Sequence, residues 1–327
     1  MTTSPVFGQL PTPKSAAAGD PAPARIGVIE APPEAKAQVA AFRQDWPELM
    51  GRGTDLRVEL VSTLAEEEYK LTIGDPIRLR ASGPTGVAWG MQTLGQILAS
   101  GAKVSVIRDS PDFGFRCVMI DVARRYHSPS TLRRIVKWAQ LGKVRYLQLH
   151  LTDDQNWMLP TEVLRGVDAR NTHGKPAYTR QELQELQAYA AARGVTLIPE
   201  IDLPGHSTLL VQLDPAVYRI QGSASSNCIN FGSPAVRAKM AALVDEVAGL
   251  FPESPYIHLG GDEAWYPDAE KDPLFAQTLK EAGPGATPGD VFVDFVSELA
   301  QRVIGHGKTP IVWEGFHPSD RARAKFP

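Results

Sequence analysis

The chain has 327 residues, a formal net charge of −3 and 43% hydrophobic residues. This length and apolar content allow a large buried core, in one big domain or two unequal ones. The small net charge excludes an overall electrostatic attraction to nucleic acid or to an anionic membrane surface. Cys117 and Cys228 are the two cysteines. Two cysteines favour neither a disulfide framework nor a structural zinc site.

Residues 1–24 are rich in Pro, Ala, Ser and Thr, and they lack a basic stretch followed by an apolar one. This composition predicts a disordered N-terminal tail rather than a secretory signal. No apolar run in the sequence approaches the roughly 20 residues of a membrane span. We therefore predict no membrane partner; the compartment is left open, with only a weak indication of the cytoplasm. The sequence does not indicate an oligomeric state.

Residues 25–108 predict a small α+β domain. Alternation of apolar and polar residues predicts strands at residues 56–60, 69–73 and 77–81. Residues 87–98 then predict a helix with a single apolar stripe, formed by Val87, Met91, Leu94 and Leu98. No group of chemically reactive side chains occurs in this region, so we predict that it is non-catalytic.

From residue 109 to residue 327 apolar strands alternate with amphipathic helices, which is typical of a parallel sheet covered by helices. The pattern predicts five strands, at residues 117–120, 144–149, 195–198, 256–257 and 309–313. Helices are predicted to open at Ser128, at a capping box from Thr179 to Glu182, at Ser233 and at Asp290. A closed (β/α)8 barrel needs eight units, whereas about five are present. The chain is therefore either an open five-stranded sheet or a barrel truncated after its fifth unit.

The loops after the second, third and fourth strands are long, at roughly 30 residues against the usual few. They leave the carboxyl ends of the strands, where barrels and open α/β sheets place their sites. All five strand ends carry polar or aromatic side chains, namely Asp121, Arg124 and Arg125; His150, Asp153, Asp154 and Trp157; Glu200, Asp202 and His206; His258, Asp262 and Glu263; and Trp313 and Glu314. This enrichment predicts a functional site, with a buried salt-bridge network as the alternative.

Asp262 and Glu263 are adjacent acids at the fourth strand end. Neighbouring side chains of a strand point to opposite faces, so these two share a pocket only if the backbone leaves strand geometry. Gly260 and Gly261 permit that departure, since glycine adopts positive φ without steric cost. Paired acids suit glycosidic or acyl chemistry, although such a pair alone is more often a solvated turn.

Three functions fit these residue types. The first is glycosyl transfer to water by two carboxylates with aromatic platforms for the sugar. The second is metal-assisted hydrolysis, which lacks a tight ligand pair such as His-Glu-x-x-His here. The third is sugar binding without turnover. The tryptophans near the acids, Trp157, Trp265 and Trp313, suit a pyranose ring better than a metal ion.

Four motifs in fixed order resemble the β-N-acetylhexosaminidases, family 20 of the glycoside hydrolases. They run from Phe115 to Arg124, from His150 to Trp157, from Glu200 to His206 and from His258 to Glu263. The resemblance implies a (β/α)8 barrel preceded by a non-catalytic α+β domain. It also implies hydrolysis of terminal non-reducing β-linked N-acetylglucosamine or N-acetylgalactosamine. A barrel glycosidase with a different sugar preference is the nearest alternative.

The resemblance further implies a retaining, substrate-assisted mechanism, in which the 2-acetamido oxygen of the sugar is the nucleophile. Glu263 would protonate the leaving oxygen and then activate water, which requires a raised pKa. Asp262 would hold the acetamido N–H and stabilise the positively charged intermediate. His206, with Asp153 or Asp154 behind it, would position and tune Glu263.

For substrate binding, the resemblance implies contacts from Arg124, His150, His258 and Trp313. Arg124 would hold sugar hydroxyls, and Trp313 would stack on the sugar or enclose the acetamido group. The partner is then an oligosaccharide or glycoconjugate with a terminal N-acetylhexosamine, and no metal or organic cofactor is implied. Whether that substrate is a chitin fragment, a muropeptide or a glycan is left open.

The sequence departs from the family in one respect. The family places further pocket residues on strands six to eight, and none can be assigned in this chain. An open barrel would expose unpaired strand edges and apolar interior. We therefore predict that the chain as given is a fragment with poor stability and little or no turnover.

Overall fold

The computed structural model describes residues 11–314, and the chain divides into two compact units. Unit 1 comprises the chain up to Val118 together with Pro129–Leu147 and Glu185–Thr196. Unit 2 comprises Met119–Ser128, Gln148–Gln184 and the chain from Leu197 onward. Within the described residues, no helix has both the length and the apolar character needed to cross a membrane.

Unit 1 contains a six-stranded mixed sheet. Its strands are β1 (Ser15–Pro21), β2 (Ile26–Glu30), β3 (Thr54–Leu60), β4 (Tyr69–Thr72), β5 (Ile77–Ala81) and β6 (Lys103–Asp109). The strand order is β1-β6-β4-β5-β3-β2. β3 pairs in parallel with β2 and β5, and the remaining pairs are antiparallel. The three strands predicted for this region are present.

Two helices complete this part of unit 1, α1 (Lys36–Asp45) and α2 (Pro84–Ser100). α2 packs against β4 and β5 and also contacts α1. All four residues of the predicted apolar stripe are buried. Gly90 allows the close approach to the sheet, because a Cβ atom there would lie 2.3 Å from Leu79 Cδ1.

The predicted N-terminal disorder is wrong for residues 15–21, which form β1. This strand pairs antiparallel with β6, from Ser15 opposite Arg108 to Pro21 opposite Lys103. The pairing uses backbone groups and small side chains, so hydrophobic periodicity gave no signal for it. A Cβ atom on Gly19 would lie 2.7 Å from the Ser105 backbone nitrogen. Residues 1–10 lie outside the described residues, and their disorder stays a prediction.

A second, five-stranded sheet carries the predicted site. Its strands are β7 (Cys117–Asp121), β8 (Tyr146–His150), β9 (Thr196–Glu200), β10 (Tyr256–His258) and β11 (Thr309–Ile311). They follow one another in chain order, and β10 pairs in parallel with both β9 and β11. β8 and β9 are buried on both faces, as expected for strands of a parallel sheet. The five predicted strands are all present.

β7 is an edge strand with apolar side chains exposed on both faces. Its neighbouring residues Val118 and Met119 are 46% and 43% exposed. Since adjacent residues of a strand point to opposite sides, both surfaces of this edge lack cover within the described residues. An edge of this kind is typical of a strand that another element pairs with or packs on.

The helices that follow β7 are α3 (Pro129–Leu141), α4 (Arg180–Ala191), α5 (Thr208–Leu213), α6 (Pro215–Tyr218), α7 (Pro234–Leu250), α8 (Pro273–Glu281) and α9 (Pro288–Gly305). The predicted capping box before α4 is present, with Glu182 N donating to Thr179 Oγ1 over 3.1 Å. The prediction that Asp290 caps α9 is wrong. Thr287 is the N-cap, and Asp290 completes the capping box three residues later.

The sequence missed α5, α6 and α8, which lie within loops predicted to be long. α8 had a local signal, because the Asp272 side chain accepts hydrogen bonds from Leu274 N and Phe275 N and Pro273 follows it. An acidic N-cap followed by proline is a common helix start. The loops after β9 and β10 therefore contain more regular structure than their length suggested.

Candidate active site

Unit 2 brings together all nine side chains predicted for catalysis or substrate binding. They are Arg124, His150, Asp153, Asp154, His206, His258, Asp262, Glu263 and Trp313. Each follows, or closes, the carboxyl end of a strand of the five-stranded sheet. The site has three levels of depth. His150 and its carboxylate partners form a buried floor, His206 lies above them, and the adjacent acids Asp262 and Glu263 lie at the open rim.

The glycine turn after β10 directs the two acids. Gly260 and Gly261 have φ values of 70° and 99°, and Glu263 also has a positive φ, 48°. A Cβ atom on Gly260 would lie 1.9 Å from Asp202 Oδ1, so only glycine fits there. Gly261 N donates to that same oxygen over 3.1 Å. The strand ends here, and both following acids turn toward one imidazole.

His206 is that imidazole, and it lies between the two acids at the rim and the carboxylates at the floor of the site. Its Nε2 lies 3.4 Å from Glu263 Oε2 and 4.0 Å from Asp262 Oδ2. Its Nδ1 lies 3.4 Å from Asp153 Oδ1 and 3.7 Å from Asp154 Oδ2. Asp153 outweighs the effect of burial and raises the pKa of His206 to about 9. A positively charged imidazole therefore stands between the acids and their supporting carboxylates near neutral pH.

Asp154 is held by groups other than His206. Its Oδ1 accepts a 2.7 Å hydrogen bond from the Thr208 hydroxyl and a 3.1 Å hydrogen bond from the Thr208 backbone N–H. The Asn227 amide donates to its Oδ2 over 3.4 Å. Asp153 makes the shorter contact with His206 and is the more deeply buried of the two. The sequence left open which acid supports His206, and the geometry favours Asp153.

The floor of the site is formed by a buried histidine between two carboxylates. His150 Nε2 lies 2.8 Å from Asp153 Oδ2, and its Nδ1 lies 3.0 Å from Glu200 Oε1. Burial alone would lower the pKa of His150, but hydrogen bonds to the two acids raise it to about 10. Although burial opposes the change, the same contacts hold the pKa values of Asp153 and Glu200 below their usual range.

His150 and His258 were predicted to bind substrate, and this role stays a prediction. Both rings are buried. The two nitrogens of His150 are occupied by carboxylates, while His258 Nδ1 accepts from Gly260 N over 3.0 Å. Burial lowers the pKa of His258, so the ring is neutral and carries its proton on Nε2. His258 Nε2, by contrast, is buried and has no hydrogen-bond partner among residues 11–314.

The side chains of Arg124 and Trp313 are each held by protein contacts on one side and partly exposed to solvent on the other. The Arg124 guanidinium lies 2.7 Å from Asp153 Oδ2 and 3.0 Å from Asp121 Oδ2, yet its side chain is about half exposed. Trp313 Nε1 donates to Glu200 Oε1 over 2.6 Å, and its ring lies 4.5 Å from that of His258. Each side chain is fixed from behind and can present the rest of its surface to a sugar.

Glu200 and Asp202 were noted at a strand end but not predicted as site residues. Glu200 holds the floor of the site together. It contacts His150 and Trp313 and also accepts a hydrogen bond from Gln148 Nε2 over 2.7 Å. Burial and the neighbouring Asp262 raise the pKa of Asp202 to about 8. Their position directly at and after the end of β9 was the available signal.

The tryptophans differ in accessibility. Trp157 was expected to suit a sugar ring, but it is buried and its Nε1 donates to Leu159 O over 2.9 Å, so it belongs to the core. Trp265, two residues after Glu263, is exposed. Trp265 and Trp313 are therefore the two predicted aromatic residues that a ligand could reach.

Several triplets of acids and histidines are close enough to chelate an ion, including Asp121 with His150 and Asp153, and Asp202 with His206 and Asp262. A metal ligand must be a neutral imidazole, whereas His150 and His206 are both held in the charged form. Arg124 adds a further positive charge on Asp153. The donor set therefore fits an ion-pair network better than a metal centre.

Sequence comparison identifies the family to which this fold belongs. The model for the catalytic domain of glycosyl hydrolase family 20 matches residues 113–325, and the model for domain 2 of the same family matches residues 11–110. A beta-hexosaminidase from Akkermansia muciniphila is 32% identical, over 90% of this chain and 66% of the relative. The human beta-hexosaminidase subunit beta is 24% identical, over 76% of this chain and 47% of its own length.

Solved structures show the same fold. A β-N-acetylhexosaminidase from Bacteroides fragilis superposes with a TM-score of 0.80 at 24% identity, covering 96% of this chain and 68% of that one. A Vibrio harveyi exo-β-N-acetylglucosaminidase in complex with N-acetylglucosamine gives a TM-score of 0.78 at 23% identity, covering 94% and 55%.

The chain belongs to glycosyl hydrolase family 20. The predicted fold class, a (β/α)8-type arrangement present as five strands and preceded by a small domain, is confirmed. The chain spans 66% of the Akkermansia muciniphila relative and 39% of a Vibrio furnissii beta-hexosaminidase. The domain bounds 25–108 and 109–327 stay predictions.

Proposed function

We propose that this chain carries the catalytic centre for hydrolysis of terminal non-reducing β-linked N-acetylglucosamine or N-acetylgalactosamine, with the substrate's acetamido group as nucleophile. One observation carries the proposal: Asp262 and Glu263 are adjacent in sequence, yet both approach His206 Nε2, at 4.0 and 3.4 Å. Two acids aimed at one imidazole can take separate roles around a single sugar ring.

Glu263 is the general acid and base of this proposal. Its side chain is 76% exposed, so a leaving-group oxygen and then a water molecule can reach it. The His206 imidazolium contacts one carboxylate oxygen and leaves the other for proton transfer. Asp153 lies behind His206, with 3.4 Å between Asp153 Oδ1 and His206 Nδ1, and favours the charged form of the ring.

Asp262 receives the acetamido group. Its Oδ1 is buried and has no hydrogen-bond partner among residues 11–314. A buried carboxylate oxygen without a donor is unfavourable by about 1–3 kcal/mol or more, and an amide N–H from the substrate would satisfy it. The neighbouring negative charge would also stabilise the positive charge that develops on the ring formed by the acetamido group.

Arg124 and Trp313 define the sugar position. The guanidinium of Arg124 is anchored by Asp121 and Asp153 and can donate its remaining N–H groups to sugar hydroxyls. The indole N–H of Trp313 is bonded to Glu200, which fixes the plane of the ring. The relatives named beta-hexosaminidase, and the Vibrio harveyi structure with N-acetylglucosamine bound, support this class of substrate.

Sugar binding with little or no turnover is the second candidate. The exposed edge strand β7 and the high exposure of Glu263 favour it, because an open site admits water and weakens the electrostatic effects on which catalysis depends. We therefore expect slow turnover from this open site.

The test compares a chromogenic N-acetyl-β-glucosaminide with the matching β-glucoside, which lacks the acetamido group. The proposed mechanism requires that hydrolysis of the first substrate exceed that of the second by orders of magnitude. Comparable hydrolysis of both contradicts the mechanism. Hydrolysis of neither, together with N-acetylglucosamine binding that Arg124→Ala abolishes, supports the binding function. A rate unaffected by a chelator is expected for this donor set.

A further inference from the structure

A groove in unit 1 has the features of a second ligand site, and it uses none of the residues of the candidate active site. It measures about 340 Å³. Three segments line it: the end of α1 with Asp45 and Trp46, α2 with Gln92, and the second half of α3. The α3 side chains are Arg134, Lys137, Trp138, Gln140 and Leu141.

Trp138 dominates the outer wall of the groove. It is 63% exposed, although a tryptophan normally buries most of its large apolar surface. The Arg134 guanidinium carbon lies 5.8 Å from the centre of its ring, which orients the two side chains together. An exposed indole with a flat accessible face is a typical platform for an apolar ring face.

The inner wall contains two buried carboxamides. Gln92 and Gln140 are each only 6% exposed and both line the groove. Both side-chain amides lie on the surface of the groove, where a ligand can reach them. Each amide offers both donors and an acceptor to a ligand in the groove.

The remaining polar groups indicate the chemistry of that ligand. Trp46, Trp138 and Arg134 also line the groove, and their side chains carry N–H donors. Lys137 and Asp45, by contrast, are paired over 3.1 Å, and Asp45 also binds Arg193. Most charges are therefore neutralised within the protein, while neutral donors and acceptors stay available. This combination suits a neutral molecule rich in hydroxyl groups better than a phosphate or an acidic peptide.

We propose that this groove is a second carbohydrate-binding site, which holds a saccharide by stacking a pyranose ring on Trp138. Gln92 and Gln140 would bond hydroxyl or acetamido groups, and Arg134 would donate to ring substituents. That the sugar is an N-acetylhexosamine oligomer rests on the proposed function; that it is a saccharide rests on the groove. A second site of this kind would keep a polymeric substrate attached to the protein between hydrolytic events.

Calorimetric titration with an N-acetylglucosamine hexamer tests the proposal on the purified full chain. Glu263→Gln serves as the background variant, so that the hexamer is not consumed. We expect two binding events. Adding Trp138→Ala should remove one of them, with affinity at that site weakened about tenfold or more. Trp138→Phe should largely restore it, and Leu274→Ala, which removes another exposed apolar side chain, should change nothing.

Arg124→Ala separates the two proposals, since it should remove only the binding event at the candidate active site. If Trp138→Ala removes a binding event and Arg124→Ala removes none, the groove stands and the proposed active site fails. Unchanged hexamer binding by Trp138→Ala overturns the groove, as does a single event abolished by Arg124→Ala. A change in oligomeric mass without a change in sugar binding also overturns it, because the surface would then contact protein. If Trp138→Ala does not fold, Gln140→Leu provides the same comparison.

Discussion

Three exposed ion pairs of the six-stranded sheet and the strand ends of unit 2 differ in how far their charged groups are buried. On the six-stranded sheet, Arg57 pairs with Glu30, and Arg78 and Arg80 pair with Glu59, all with side chains about half exposed. At the strand ends of unit 2, six charged or titratable side chains are almost fully buried: His150, Asp153, Glu200, Asp202, His206 and His258.

Exposed and buried charged groups differ in their effect on the free energy of folding. An exposed ion pair contributes only about 0–1 kcal/mol to stability. Burying a charge is unfavourable by several kcal/mol and is compensated only by close partners. Asp109 on β6 and Lys143 also form a buried ion pair, so buried charge indicates a candidate functional site only together with the strand-end position. The following changes test this contrast, from the largest expected effect to the smallest.

Glu263→Gln should abolish most turnover. Removing the acid and base is expected to lower kcat about 10²–10⁴-fold while sugar binding persists. The measurement is hydrolysis of the chromogenic N-acetyl-β-glucosaminide alongside N-acetylglucosamine binding. Glu59→Gln is the matched control, since it makes the same chemical change on the six-stranded sheet, and it should leave the rate unaltered. Equal rates for Glu263→Gln and the unmodified chain would show that another group is the proton donor.

Asp153→Asn should destabilise the fold strongly. The change leaves the His150 imidazolium and the Arg124 guanidinium without their shared carboxylate, at an expected loss of about 3–5 kcal/mol. Urea unfolding measures the loss, and Glu59→Gln should lose less than about 1 kcal/mol. Similar losses for both variants would remove the distinction between the two regions.

Gly260→Ala should disturb both stability and the site. A positive φ is unfavourable for alanine by about 1–3 kcal/mol, and the new methyl group would displace Asp202. Gly249→Ala is the control, because it lies in α7 with no atom within 4 Å of the added Cβ, and it should stabilise the helix by about 0.5–1 kcal/mol. Urea midpoints check both, and a stabilised Gly260→Ala would contradict the required turn.

Stability should fall as the pH rises from about 6.5 to about 10. The pKa values of His150 and His206, about 10 and about 9, lie above the ordinary histidine value, so the folded state binds more protons in this range. The stabilisation is complete below pH 6.5 and is lost as the pH passes through these values. The raised pKa of Asp202, about 8, acts in the same direction.

Urea midpoints at pH 6 and pH 9 measure this decline, and His206→Gln should make it smaller. Stability that rises over this interval would contradict the assigned charges. Glu59→Gln, outside the buried network, should show the same decline as the unmodified chain.

The local pattern of apolar and polar residues was sufficient to predict most of the strands and helices. Apolar alternation located β3 to β5, and the strand–helix alternation located all five strands of the second sheet. It failed where the structure depends on backbone pairing with a distant segment, as in β1, or where a short helix lies in a long loop, as in α8. Periodicity measures side-chain burial, and these segments are specified by hydrogen bonding and capping instead.

The candidate site shows the same division. The chemical types and the strand-end positions of Asp262, Glu263, His206 and Arg124 were readable from the sequence. The burial of His150, His258 and Trp157 was not, because a polar or aromatic residue at a strand end has the same local pattern whether it faces a ligand or the core.

The amino-acid sequence by itself determined the family, the order of the elements and the set of side chains available for chemistry, since these depend on residue type and spacing. Only the tertiary structure decided which side chains share a contact. It placed His206 between Glu263 and Asp153 and brought Glu200 into contact with His150 and Trp313. It also placed Trp138 and Gln92 on the same groove. Those contacts join residues far apart in the chain, and their distances and burial are set by how the segments pack.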